Sequence, residues 1–366
     1  MSKIPFSLLI LIFASGICFI DAVTIAESSS QDTIVFTRIQ EPNEKAFSVL
    51  IPKGWKTHGG IIRVNPLAQG GAAQSIAAKL DFYIMTDDQA TIGLHWFPES
   101  LYCDMRRSPA GQMGLFPQGS NYNGMLVWQL LSAEEFLMQG VFSQTHPKAS
   151  NVSIIESKKL PQLANKYRQN LAKIQSMVAI PLDFSYDAAV LTVTYNENGV
   201  NYKEKLITVI EDMGQIGGGI WVNKETFHLR APANEFDKIE PIAYIIQSSV
   251  KINRQWLVGE IKGQIQRGEI MLKTQQYINE IDKQITQNRM DTNDQIRNDM
   301  YLTLTSQEEY INPYTKEVEV GSNEWQNRWI NESGDVVYSD NSEYNPNHDD
   351  SLKRTDFKLC PVKPRK

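Results

Sequence analysis

The residue types that could carry chemistry here are five histidines, two cysteines beyond an apolar N-terminal run, and scattered carboxylates. A protein metal site needs imidazole, thiolate and carboxylate groups that converge from suitable spacings. His58, His95, His146, His228 and His348 lie far apart in the chain, H-E-x-x-H is absent, and no metal ligand set is expected. His95 and His228 both fall on predicted strands, however, so they can meet in space. Two separately hydrogen-bonded strand histidines are the competing reading. Asp291-Thr-Asn293-Asp294 starts like a calcium loop, but Ile296 stands where the sharp turn requires glycine. Asp340-Asn-Ser342-Glu343 lacks that glycine too, and His348-Asp349-Asp350 reads as a solvated charge run.

Signatures of nucleophilic catalysis are equally sparse. No G-x-S-x-G elbow occurs, and Gly217-Gly218-Gly219 opens a strand with no Lys-Ser/Thr after it, which argues against a phosphate cradle. Cys103 beside His95 would make a thiolate pair, because Arg106 and Arg107 would lower the thiol pKa. An inert buried thiol is the alternative. No catalytic residue and no cofactor are expected. In an oxidising compartment Cys103 and Cys360 can instead pair. That bridge would close about 250 residues and contribute roughly 5 kcal/mol in the chain-entropy model.

One segment is suggestive of binding. Residues 108–125 form a long loop punctuated by Gly111, Gly114, Gly119 and Gly124 yet carrying apolar and aromatic side chains. Loops of this length inside a compact domain are usually functional or disordered, and apolar residues disfavour disorder. Met113, Phe116 and Tyr122 are therefore expected to line a ligand or partner groove with Trp96, packing over a sheet edge being the alternative.

The elements that must position these groups follow from periodicity. Ile34–Ile39 and Phe47–Ile51 alternate around Glu41-Pro42-Asn43-Glu44 and predict a hairpin. Further strands are expected at 78–85, 91–97, 151–157, 188–195, 201–210 and 219–230. Asn196-Glu197-Asn198-Gly199 between two of them supplies residues that accept positive φ. Ser132-Ala-Glu-Glu135 starts a capping box, Pro161 opens a helix over 162–177, and Ile239, Ile242, Ile246 and Val250 share a helical face. Leu257, Ile261, Ile265, Ile278, Ile281 and Ile285 predict a long amphipathic helix over 254–300. Its apolar spacing gives about two heptads of coiled-coil character, short of a sustained one. Residues 308–340 read as a small β-meander and 341–366 as a flexible tail. A third reading uses this meander for peptide recognition through Trp325, Trp329 and Tyr310, because it loosely resembles a WW module.

Composition bounds the rest. With 36 basic against 42 acidic residues the net charge is −6, which argues against nucleic acid, whose binding needs clustered Lys and Arg. Lys3, the apolar run Ile4–Ile20 and small residues up to Ala26 form the pattern of a secretory signal over residues 1–26. Export to the periplasm or beyond is thus expected, with no membrane span once that segment is removed; a retained anchor helix is the alternative.

The segment FSVLIPKGW (47–55) resembles the opening hairpin of PsbP-like domains, and PIAYIIQSSVKIN (241–253) resembles their terminal helix. The resemblance implies an α+β PsbP-like domain over 33–253, an antiparallel sheet packed with helices, before the long helix and the β-meander. It also implies a non-catalytic partner role. The expected function is an exported binding or scaffolding protein whose partner is an envelope protein or a small ligand. The alternatives are an envelope hydrolase, for which a convergent cluster of ionisable side chains would be the sign, and the peptide-recognition reading.

Overall fold

The computed structural model describes residues 33–71, 73–107, 116–175, 183–214, 217–268 and 307–363. They fall into two compact units. Among the described residues, unit 1 is Lys56–Phe236 together with Gly259–Gly268, and unit 2 is built from residues 33–55, Asp237–Val258 and 307–363.

Unit 2 opens the chain with β1 (Thr33–Gln40) and β2 (Phe47–Pro52), antiparallel partners with Ile39 opposite Val49. The turn between them closes on a fully buried carboxylate, since Glu41 accepts from the backbone N–H groups of Asn43, Glu44 and Ala46.

Unit 1 follows as a ten-stranded sheet. Its strands are β3 (Lys56–Ile62), β4 (Lys79–Met85), β5 (Gly93–Trp96), β6 (Leu101–Cys103), β7 (Asn121–Tyr122), β8 (Met125–Val127), β9 (Ser150–Lys159), β10 (Ser185–Glu197), β11 (Val200–Asp212) and β12 (Ile220–Pro232). The main path is β3-β4-β5-β12-β11-β10-β9, all antiparallel, with β6, β7 and β8 attached beside β12. The hairpin β10–β11 turns at Asn198 (φ 53°) and Gly199 (φ 82°), the left-handed pair that a two-residue loop demands.

Side-chain alternation gives this sheet two working faces. Ala189, Leu191, Val193 and Tyr195 of β10 and Tyr202, Leu206 and Ile210 of β11 pack against the helical segment α1 (133–145) through Phe136, Leu137, Val141 and Phe142. Ser132 and Glu135 cap α1 reciprocally, and its middle, Leu137–Phe142, widens into a π-helical turn. Gly140 is required there, because a Cβ would come within 2.7 Å of the Phe136 ring. The opposite face of β10 carries α2 (Pro161–Gln175), where the Tyr167 and Tyr186 rings lie 5.5 Å apart.

The chain then returns to unit 2 through α3 (Phe236–Ser248), β13 (Lys251–Ile252) and the start of α4 (Arg254–Gly268). After residue 307 come β14 (Gln307–Ile311), β15 (Val318–Ser322), β16 (Asn327–Ile330), β17 (Val336–Ser339) and β18 (Lys358–Leu359). Strands β14 and β15 pair with each other, and Tyr310 of β14 also bridges Val362. The others complete a six-stranded sheet in the order β13-β2-β1-β17-β16-β18.

The expected α+β class with a long helix is therefore corrected. Strand accounts for 41% and helix for 22%, and no described helix exceeds 15 residues, so the fold is mainly antiparallel β. Tertiary pairing drew more chain into sheet than local patterns suggested, as strands of 13 residues at β10, β11 and β12 attest. The coiled-coil expectation fails on α4, whose buried positions include Glu260 and Gln264 besides Leu257 and Ile261. Glu260 instead takes Arg63 Nη1 at 2.5 Å and the Ala78 N–H at 2.9 Å. Residues 269–306, the remainder of the expected helix, lie outside the described residues. The expected meander is not a separate module, because β17 pairs with β1, placing Phe36 opposite Val336. The chain expected as a flexible tail docks through β18 on β16 and buries Phe357 and Cys360.

Candidate functional site

Among the described residues, a dense set of ionisable groups lies on the α1 face of the unit 1 sheet. Its centre is Glu204 of β11, with no solvent exposure. Position 204 shares the inward parity of Tyr202 and Leu206, so a carboxylate has replaced an apolar core residue. Three groups converge on it. His228 Nδ1 from β12 lies 2.5 Å from Oε1, His146 Nε2 lies 2.9 Å from Oε2, and the Tyr195 hydroxyl of β10 donates to Oε2 at 2.8 Å. His146 comes from the end of α1, where its N–H still bonds to the Phe142 carbonyl. His146, Glu204 and His228 thus present three ligand atoms within 4.8 Å of one another.

Around this centre is a supporting layer. His146 Nδ1 faces both Glu197 oxygens at 3.3 Å, and Arg230 Nη2 donates to Glu197 at 2.7 Å while its guanidinium covers the Tyr202 ring at 3.8 Å. His95 of β5 is the register partner of His228, and the two rings meet edge-on at 5.6 Å. His95 Nε2 lies 2.7 Å from Asp81, and its ring stacks on Tyr83 at 3.5 Å. His95 and His228 therefore do meet in space, each also held by a carboxylate.

The electrostatics follow from burial. Burial alone would push the Glu204 carboxyl up, but His228 and His146 hold it well below the usual carboxylate range. The Tyr195 hydroxyl is raised by burial and by Glu204 beside it, and so remains a donor. Burial lowers His95 to about 4 despite Asp81, which leaves that ring neutral near pH 7. A buried carboxylate without partners costs several kcal/mol, and here the two imidazoles and the Tyr195 hydroxyl surround it.

A second polar cluster occupies the opposite face. Lys224 Nζ bonds Glu99 at 2.8 Å, and the Tyr186 hydroxyl donates to Glu211 at 2.7 Å. Burial opposes the Lys224 ammonium, but Glu99 and Glu211 outweigh it and raise its pKa. Lys79 is lowered to about 8, chiefly by burial, and donates to Gln74 at 2.7 Å.

The expected site residues scatter. Trp96 packs on Phe82 and Phe227, at 6.0 and 4.9 Å between ring centroids. Phe116 is 38% exposed and meets Tyr122 edge-on at 4.9 Å, while Tyr122 packs on the cluster of Ala73, Leu101 and Met125. Met113 lies outside the described residues. Trp325 and Tyr310 are buried, Trp325 against Tyr338 and Tyr310 donating to the Ser322 carbonyl, which withholds both from a peptide. Trp329 is half-buried on β16, opposite Val337 and Leu359.

The cysteines are not paired; both are buried free thiols. Cys103 is also remote from His95. It pairs with Ile220 and His95 with His228, eight residues further along β12, which is roughly 25 Å at about 3.3 Å per residue. Burial, with Asp104 adjacent, pushes the Cys103 thiol up to about 11, and burial likewise pushes Cys360 to about 11.

Sequence reasoning missed His146 and Glu204. Glu204 left one signal, a charge at inward parity in the Asn201–Ile210 strand. His146, next to Pro147 beyond a helix end, left none. No family model matches this chain, and no curated protein is significantly similar to it in sequence.

Proposed function

We propose that this is an exported, non-catalytic binding or scaffolding protein of the cell envelope. The observation that carries this reading is the closure of the histidine–carboxylate cluster around Glu204. The His146 side chain is 3% exposed and Glu204 has no exposure, so a substrate has no line of approach to either. The thiols support it, since Cys103 and Cys360 are protonated at neutral pH and cannot act as ready nucleophiles. No described helix is long and apolar enough to cross a membrane. Export rests on Lys3, the apolar run behind it and the small residues near Ala22 and Ala26. The PsbP-like segments 47–55 and 241–253 lie side by side in unit 2, where Ile252 pairs with Phe47 and Leu50 donates to the Ser249 hydroxyl. Proteins with such domains mostly act by binding partners.

Two measurements test the reading. Fractionation and N-terminal sequencing should find the mature chain in the envelope or medium, starting beyond residue 22; Met1 retained in a cytosolic fraction would end the export proposal. The full chain should also leave chromogenic ester, phosphate, glycoside and peptide substrates untouched. Turnover that disappears in Glu204→Gln would make it a hydrolase instead.

A further inference from the structure

We infer that His146, Glu204 and His228 are the ligands of one divalent transition-metal ion of the zinc class. The site stands apart from the envelope role proposed above and survives or fails independently of it.

The donor set comes first. Two imidazole nitrogens and a carboxylate, with no thiolate, suit zinc and its first-row neighbours, whereas calcium and magnesium want oxygen throughout. Geometry comes second. A tetrahedral ion with bonds of about 2.0–2.2 Å spaces its ligand atoms roughly 3.3–3.5 Å apart. The His146 and His228 nitrogens stand 2.9 and 2.5 Å from Glu204, and all three ligand atoms fit within 4.8 Å. Shifts of about 1 Å or less therefore convert the hydrogen-bonded arrangement into a coordinating one. The two rings are already nearly parallel, 21° apart with centroids at 6.3 Å.

Orientation comes third. A ligating histidine ordinarily donates its other ring N–H to a carboxylate, which fixes the tautomer and raises the basicity of the ligating nitrogen. Glu197 occupies that place behind His146 Nδ1, and Arg230 holds Glu197 in turn. This layer leaves His146 Nε2 free to offer its lone pair toward Glu204. Each ligand also stands on a different element, β11, β12 and the end of α1, so the triangle is rigid. The Tyr195 hydroxyl, 2.8 Å from Glu204 and 3.3 Å from His146 Nε2, adjoins the fourth position. Such a closed shell fits a structural or stored ion. Its approach passes Glu197 and Arg230, whose side chains are 11% and 10% exposed beside the Asn196–Gly199 turn.

The test uses the full chain, stripped with a chelator, dialysed and titrated with zinc and separately with cobalt(II). One ion should bind per chain with Kd below about 1 μM, the cobalt form should show the intense visible bands of four-coordination, and zinc should raise the thermal midpoint as mass action requires. His228→Gln and His146→Gln should weaken zinc at least 100-fold, while His58→Gln and His348→Gln should leave it unchanged. Should the core variants not fold, imidazole nitrogen NMR of the unsubstituted chain decides, because zinc must shift the His146 and His228 resonances. Failure to bind one equivalent, equal affinity in a folded His228→Gln chain, or unmoved resonances would each overturn the inference. The cluster would then be a proton-sharing core.

Discussion

Tyr195→Phe removes a single oxygen from the centre of unit 1 and leaves the packing in place. The ring touches Phe142, His146 and Tyr202 at centroid distances of 5.0, 4.9 and 5.6 Å, contacts that phenylalanine keeps. What goes is the hydrogen bond to Glu204 at 2.8 Å, made to a carboxylate that has no solvent to replace it. Hydrogen bonds to buried charged groups are worth about 1.5–3 kcal/mol. For a unit of roughly 180 residues each kcal/mol moves the midpoint by about 2–4 °C, so the variant should melt about 3–12 °C lower. The assay is thermal and urea unfolding with chelator present, which keeps any bound ion out of the comparison. Repeating the substitution in a Glu204→Gln background separates the charge from the oxygen. There the loss should shrink to about 1 kcal/mol, the worth of a neutral hydrogen bond. A loss below about 0.5 kcal/mol in the first background, or an equal loss in both, would refute a charge-centred network.

Three further outcomes are expected. Glu197→Gln should weaken zinc about 10–100-fold, since its carboxylate orients His146; calorimetry checks this. Arg328→Met should cost unit 2 about 1.5–3 kcal/mol at pH 7, because the half-buried Glu319, whose oxygen lies 2.6 Å from Arg328 Nη2, keeps only Lys251 as a cationic partner. Burial resists the Glu319 charge, but Arg328 and Lys251 hold its carboxyl at about 2. Its contribution is therefore complete above the unfolded value near 4.5 and drains away as pH falls through about 2. Urea unfolding read by hydrogen exchange at residues 327–339 should show the Arg328→Met penalty shrinking toward pH 2, and a constant penalty would contradict the ion-pair account. Gly140→Ala should destabilise by about 1–3 kcal/mol through overpacking on Phe136. A raised thermal midpoint, as for an ordinary helical glycine, would contradict the close approach.

Local features of this fold were legible where the determining physics is local. The Asn196–Gly199 turn needed only residues that accept positive φ, and the Ser132–Glu135 cap only a reciprocal pair of side chains. Placing His95 and His228 on strands was enough to let them meet, though not to show that β5 and β12 are neighbours. Glu204 was obscured because Lys203 and Lys205 flank it, so the strand looks polar on both faces. Its inward parity becomes meaningful only once Tyr202 and Leu206 are seen packed beneath α1. The partner of Val336 was out of reach for a different reason. Pairing with Phe36 across 300 residues has no local signature, so β16 and β17 looked like part of a small local meander.

That same pairing has a consequence for how the molecule is made. Unit 1's main stretch, Lys56–Phe236, is continuous, and its strand pairings, the widest joining Gly93 to Arg230, all fall within it. It can acquire its sheet while the ribosome is still at work. Unit 2 must wait for Val336–Ser339 to emerge before β1 gains its second neighbour, and long-range closures of this kind are slow. A chain terminated before residue 336 would leave the backbone of β1 open along one side, a template for association with other chains. Shortened products of this gene should therefore aggregate even though the histidine cluster they carry is intact.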